Sequence, residues 1–162
     1  MTAEDDFAAL TDELDYPMFI VTAVAGAQRA GCLVGFATQC SIDPLRFLVC
    51  LSVKNHTARV AGESAVLAVH IVTSEAVGLA ELFGTETGDT VDKFDRCEWV
   101  PGPEGVPLLV DLPDRFVGRV IDRLALGDHE GFVLRVVEAS SGAPGGPVTF
   151  QRLRHLEPGH PA

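Results

Sequence analysis

Apolar residues recur with two different periods along this chain, and the change of period divides it. Over residues 3–14, Phe7, Leu10 and Leu14 fall at helical spacing. Thr2 followed three residues later by Asp5 has the form of a capping box, and Glu4, Asp5 and Asp6 suit the positive end of a helix dipole. Tyr16-Pro17 ends that pattern. From residue 18 the signal is β-like. Residues 18–25 are apolar and β-branched, 26–31 read as a turn, and 32–41 read as one returning strand. Ile42-Asp43-Pro44 breaks the run, and 47–53 predicts a strand covered on both faces. Residues 57–63 predict a short helix with Thr57 as its cap, and 65–72 a further strand.

The second half follows the same logic. Residues 74–83 predict a helix capped by Ser74 and closed by Gly84. Residues 85–99 are irregular, and 101–107 form a Pro/Gly loop. Residues 116–124 alternate, with Phe116, Val120 and Leu124 on one face and Arg115, Arg119 and Arg123 on the other, a face read as solvated. A turn over 125–131 leads to a strand at 132–137, and a last short strand is expected at 148–153. The strands are not separated by regular long helices, and neither GxGxxG nor GxxxxGK[ST] stands between a strand and a helix. The expected fold is therefore mostly β: an antiparallel barrel of six or seven strands with short peripheral helices. Residues 1–15 form an acidic helix, 16–157 one domain, and 158–162 a flexible tail.

Charge narrows the partners. The chain has 162 residues and a formal net charge of −11, with 23 acidic residues against 12 Lys and Arg. Such a balance repels phosphate backbones and anionic lipid, so neither nucleic acid nor membrane is expected as a partner. The acidic start does not resemble a secretory signal, and a cytoplasmic protein is expected. Cys32, Cys40, Cys50 and Cys97 show neither CxxC nor zinc spacing, so free thiols and no metal are expected.

Four constellations carry candidate chemistry. Lys54-Asn55-His56-Thr57 lies between a strand and a helix start, where backbone N–H groups favour a phosphate. The alternative is an ordinary capped turn. Thr38-Gln39-Cys40-Ser41 is a polar patch ending an apolar strand, suited to a flat heterocycle or simply facing water. Gly127-Asp128-His129 sits in a turn, where Asp128 can fix the tautomer of His129 or merely bond its own backbone. His70 lies inside an apolar run, as a core histidine or as a ligand-facing group on a pocket floor.

In this order the pieces resemble the flavin reductase family with its FMN-binding split-barrel fold. The matching stretches are 18–25, 36–44, 47–57, 66–72, 79–84, Asp92-Lys93-Phe94, Phe116-Val117-Gly118 and Gly127-Asp128-His129, within residues 16–138. The resemblance implies a homodimer that binds FMN or FAD and reduces it with NADH or NADPH, supplying reduced flavin to a partner monooxygenase. It places Thr38, Gln39, Cys40 and Ser41 along the isoalloxazine and ribityl. Lys54, Asn55, His56 and Thr57 then serve the phosphate, His70 is a further cofactor-binding candidate, and Asp128 and His129 stand on the nicotinamide side as catalytic candidates. The chain departs from the family's usual pattern at Gly35-Phe36, at Asn55-His56 and at His70. The competing reading is a flavin-binding electron carrier or redox sensor with no nicotinamide site.

Overall fold

The structure is a computed structural model, and it describes residues 1–86, 92–142 and 144–156. Seven strands form one antiparallel sheet. In chain order they are β1 (Phe19–Ala25), β2 (Gln28–Val34), β3 (Ala37–Ser41), β4 (Arg46–Ser52), β5 (Val66–Ile71), β8 (Arg115–Ala125) and β9 (His129–Ser140). Two short strands, β6 (Trp99–Pro101) and β7 (Pro107–Leu109), pair with each other. The helices are α1 (Ala3–Asp12), α2 (His56–Ala61), α3 (Val77–Thr85) and α4 (Phe150–Leu153).

The order across the large sheet is β2-β1-β5-β8-β9-β4-β3. Its two edge strands, β2 and β3, are consecutive in the chain and are joined only by Gly35 and Phe36. Seven flat strands would set the edges nearly 30 Å apart at about 4.8 Å per step, well over twice the roughly 11 Å that the three Cα steps from Val34 to Ala37 can span. The sheet is therefore curved enough to bring the end of β2 at Val34 near the start of β3 at Ala37. The expected single strand at 32–41 is thus two strands on opposite edges. Strand periodicity continued across the break and concealed it.

Other corrections are local. The β1–β2 hairpin turns at Gly26-Ala27, with Ala25 paired to Gln28 and Gly26 at a φ of 60°, which a tight two-residue turn requires at that position. Helix α3 starts at Val77 with no side-chain cap, so Ser74 is not its cap. Gly84 lies inside α3, where a Cβ would meet Leu33 Cδ2 at 2.9 Å, so this glycine permits close approach to β2 rather than ending the helix. The 101–107 loop is flanked by β6 and β7. In place of the strand expected at 148–153, Pro147 and Thr149 make isolated bridges to Thr73 and Pro17, and α4 follows. The expected tail at 158–162 and part of the irregular 85–99 stretch lie outside the described residues.

Burial explains the uninterrupted apolar runs. On β1, Val21 and Ala23 enter an inner cluster with Val49, Leu51, Leu67, Val69, Phe132 and Leu134, against which α2 sets Ala58, Val60 and Ala61. Ile20 points the other way, into a second cluster with Ala80 and Phe83 of α3, Phe94, Leu109 and Leu112. A strand covered on both faces needs no polar alternation. Helix α1 is the exception. Its Thr2–Asp5 capping box is present, yet none of its residues is buried, and Phe7 and Leu10 are 68% and 70% exposed. The Arg115, Arg119 and Arg123 face is used within the chain. Arg115 donates to the carbonyls of Leu109 and Leu112, Arg119 pairs with Glu104, and Arg123 donates to the Ser64 carbonyl. Among the described residues no helix is long and apolar enough to cross a membrane.

Candidate functional site

Strand pairing brings two separated sequence segments together at the end of β4. Ser52 faces His129 across the β4–β9 ladder, and the Val53 N–H donates to the Asp128 carbonyl at 3.0 Å. The segment after β4 and the turn before β9 therefore share one wall. Lys54 is near enough to Asp128 to help hold its carboxyl below the ordinary range, though the hydrogen bond and charge of His129 contribute more.

That wall belongs to a cleft of about 240 Å³. Cys50, Ser52, Asn55 and His129 line one side, and Tyr16, Phe36 and Phe150 supply rings. Across Tyr16, Gly35 and Phe36 the cleft adjoins a wider apolar groove of about 810 Å³, which Phe7 and Leu14, Phe19, Phe47, Thr38 and Gln39 help to line. The cleft alone is smaller than the roughly 300–1,000 Å³ typical of ligand pockets, and the groove supplies the remaining room.

Asn55 caps α2. Its Oδ1 accepts from the Thr57 N–H at 2.8 Å, satisfying one of the donors that a helix start leaves free. Thr57, expected as the cap and as a phosphate group, is instead 1% exposed. Its hydroxyl and the Asn55 side chain both engage the Cys32 thiol, and burial raises that thiol's pKa despite them. The shift of the cap by two residues turns Thr57 inward. Lys54 is exposed and His56 half-buried, with the Arg59 guanidinium donating to His56 Nδ1 at 3.3 Å.

Strand β3 is an edge strand and mostly exposed. Thr38 and Gln39 line the groove; Cys40 and Ser41 line neither space. The Thr38 hydroxyl donates to the Gln39 carbonyl and the Gln39 side-chain amide to the Ser41 carbonyl, so both side chains are held along the strand.

Asp128 Oδ1 accepts from His129 Nδ1 at 2.8 Å. This contact fixes the tautomer and leaves Nε2 as the nitrogen for a ligand. The Asp128 side chain is 78% exposed and that of His129 28%. His70 does not belong here. It is fully buried, its Nδ1–H donates to the Ile20 carbonyl at 3.0 Å, and its Nε2 accepts from the Leu109 N–H at 3.0 Å. Both nitrogens are spent on backbone, and burial lowers its pKa to about 4.

The sequence reading included Phe36 and Ser52 in its matching stretches without giving them a role and missed Tyr16 and Phe150, and all four line the cleft. Gly35-Phe36, an aromatic after a glycine in an otherwise continuous strand pattern, carried a readable signal. Phe150 carried none, since only the fold brings it against Tyr16. All four cysteines are free thiols, and among the described residues no group of three or more His, Cys, Asp or Glu side chains is placed to hold a metal.

Comparison with known proteins gives this geometry a context. The FMN reductase (NADH) RutF of Ancylobacter novellus is 27% identical over 143 residues, spanning 88% of this chain and 78% of that protein. The reductase component of a 4-nitrophenol 4-monooxygenase/4-nitrocatechol 2-monooxygenase from Rhodococcus opacus is 30% identical over 135 residues, covering 83% of this chain and 70% of its own. The crystal structure of a flavin reductase domain protein from Arthrobacter sp. FB24 superposes with a TM-score of 0.83 at 21% identity, covering 98% of this chain and 96% of the other, and shares its fold. The model of the flavin reductase like domain matches residues 11–159, nearly the whole length, and the chain belongs to that family.

Proposed function

We propose that this protein is an NAD(P)H-dependent flavin reductase that binds FMN or FAD in the joined cleft and groove. The observation that carries this reading is the Ser52–His129 pairing, which sets a phosphate-type segment and an Asp-His pair on one wall beside the rings of Tyr16, Phe36 and Phe150, within a flavin reductase like domain. The donor set fits a flavin phosphate. Asn55 and Ser52 line the cleft and offer hydrogen bonds, Phe36 and Tyr16 offer flat apolar surface, and Lys54 and His56, which line neither space, flank Asn55 at the start of α2 beside the cleft. The bound flavin supplies the hydride-accepting ring and the nicotinamide the hydride, so the chain itself needs no general base.

The remaining work falls to residues of this chain. Lys54 brings positive charge to the phosphate, His56 offers it an Nε2–H donor while its Nδ1 accepts from Arg59, and Asn55 keeps the α2 start ordered beside it. Thr38 and Gln39 meet the ring edge from the groove side. His129, with Nδ1–H committed to Asp128, presents Nε2 as an acceptor to the amide N–H of the nicotinamide carboxamide. His70, Thr57, Cys40 and Ser41 take no part.

The curved sheet is read as a split barrel, and the assembly as a homodimer in the cytoplasm. The Rhodococcus opacus relative, a monooxygenase reductase component, supports a partner monooxygenase as consumer of the reduced flavin. The test is an anaerobic titration. FMN or FAD is added to purified protein, fluorescence quenching is followed, and NADH or NADPH is then added. Binding and bleaching of the flavin absorbance are expected. Protein that neither binds nor quenches either flavin would refute the reading. Bound flavin that neither nucleotide reduces would point to an electron carrier instead.

A further inference from the structure

Phe36 is 57% exposed, but its ring is not isolated. It lies 5.2 Å from the His129 ring at 46° and 6.5 Å from the Tyr16 ring at 51°. Tyr16 in turn stacks on Phe150 at 4.9 Å and 12°. Four rings thus run in series along the site; Tyr16 and Phe36 line both the cleft and the groove, and of these two Phe36 is the exposed one.

The backbone beneath Phe36 is held tightly. Its carbonyl accepts from the Cys50 N–H at 2.8 Å, and the Ala37 N–H donates to the Gly35 carbonyl at 3.1 Å. At Gly35 a Cβ would lie 2.6 Å from Tyr16 Cε2, so the chain is pressed against the Tyr16 ring. An exposed aromatic on so constrained a link gains little from its own burial. Its exposed surface is available to another flat ring, because offset or tilted aromatic contacts add to area burial.

We propose that Phe36 is a specificity-determining residue of the site, which packs against the ring system of the flat heteroaromatic reactant and holds the His129 imidazole at the junction of cleft and groove. The inference rests on the reductase reading and goes beyond it by assigning ring selection to one side chain. A π surface at that junction favours the oxidised flavin ring over smaller or non-planar acceptors, whereas an aliphatic residue of like volume keeps apolar contact but lacks the π surface.

The test compares Phe36→Leu and Phe36→Tyr with wild type, with FMN and NADH as probes. In Phe36→Leu the KM for FMN rises about tenfold, equivalent to about 1.4 kcal/mol of binding, while kcat stays within about threefold. Quenching of FMN fluorescence at saturation weakens in the same variant. Phe36→Tyr restores both to near wild type. Wild-type KM and quenching in Phe36→Leu would overturn the proposal, as would equal losses in both variants. If Phe36→Leu instead changes the oligomeric state by light scattering and leaves KM unchanged, Phe36 is a subunit contact and the proposal fails. Each of these results presupposes that wild type reduces FMN, so failure of the reductase reading shows separately as an inactive wild type.

Discussion

His70 shows how far one residue's surroundings govern its chemistry. The bonds it makes to Ile20 and Leu109 require one N–H and one bare nitrogen, hence a neutral ring. Burial, aided by the Arg115 charge and opposed by the Ile20 bond, lowers its pKa from 6.5 to about 4. Between these values the unfolded chain holds a proton that the native ring refuses. Stability therefore rises with pH through that window, is fully present above about 6.5, and is lost as pH falls toward 4. The gap corresponds to about 3 kcal/mol. Urea midpoints measured from pH 7 down to pH 4.5 should fall more steeply in wild type than in His70→Phe. That variant should itself lose about 2–4 kcal/mol at pH 7, because the Ile20 carbonyl and the Leu109 N–H are left without partners. A parallel slope in the two proteins would exclude the neutral ring as the cause. At the cleft, His129→Ala should reduce NADH oxidation at least tenfold and change flavin affinity by less than about threefold. Unchanged turnover would remove His129 from the reaction. The sequence sets His70 inside an apolar run and His129 in a turn beside Asp128, and the bonds each makes decide the outcome: a core imidazole at His70 and a cleft-lining one at His129.

At the scale of elements, local chemistry was legible where an element is made by its own residues. The Thr2–Asp5 capping box and the helix it begins are present as read, because both partners lie within one turn. The cap of α2 was misplaced by two residues, since Asn55 and Thr57 are both good caps and tertiary packing chose between them by burying Thr57 against Cys32. The two elements should respond differently to the loss of a cap. Helix α1 has no buried residue and is tied down mainly near its C-terminal end, by Arg154 to Asp12 and by Gln151 to the Asp12 and Leu14 carbonyls. Thr2→Ala should therefore lower its helicity and amide protection but shift the global urea midpoint by less than about 0.5 kcal/mol. Asn55→Ala should cost about 1 kcal/mol globally, because α2 sets Ala58, Val60 and Ala61 into the inner core. It should also weaken FMN binding. An equal global effect of the two substitutions would show that α1 is packed in solution in a way the monomer does not show.

For the whole molecule, the decisive feature is the link between the two edges of the sheet, which the sequence concealed. Residues 32–41 kept strand character on both sides of Gly35, so that glycine was the one local sign that the chain leaves one edge at Val34 and joins the other at Ala37. The same link carries Phe36 into the site, so the topology and the ring series were missed together. Gly35 makes the passage feasible. It needs no unusual φ, and its role is steric, since a methyl group there would press into Tyr16 at 2.6 Å and crowd the Met18 sulfur at 3.2 Å. Gly35→Ala should thus push Tyr16 off its stack with Phe150 and strain the crossing, at a cost of about 1–3 kcal/mol. Tyr16→Ala alone should also destabilise, by loss of a packed aromatic. In the double variant the clash with the ring is gone and only the Met18 sulfur at 3.2 Å stays close to the methyl group, so the two losses should combine to less than additive by at least about 1 kcal/mol. Urea unfolding of all four proteins measures that coupling. Strict additivity would mean that the edge-to-edge link does not depend on the Gly35–Tyr16 contact.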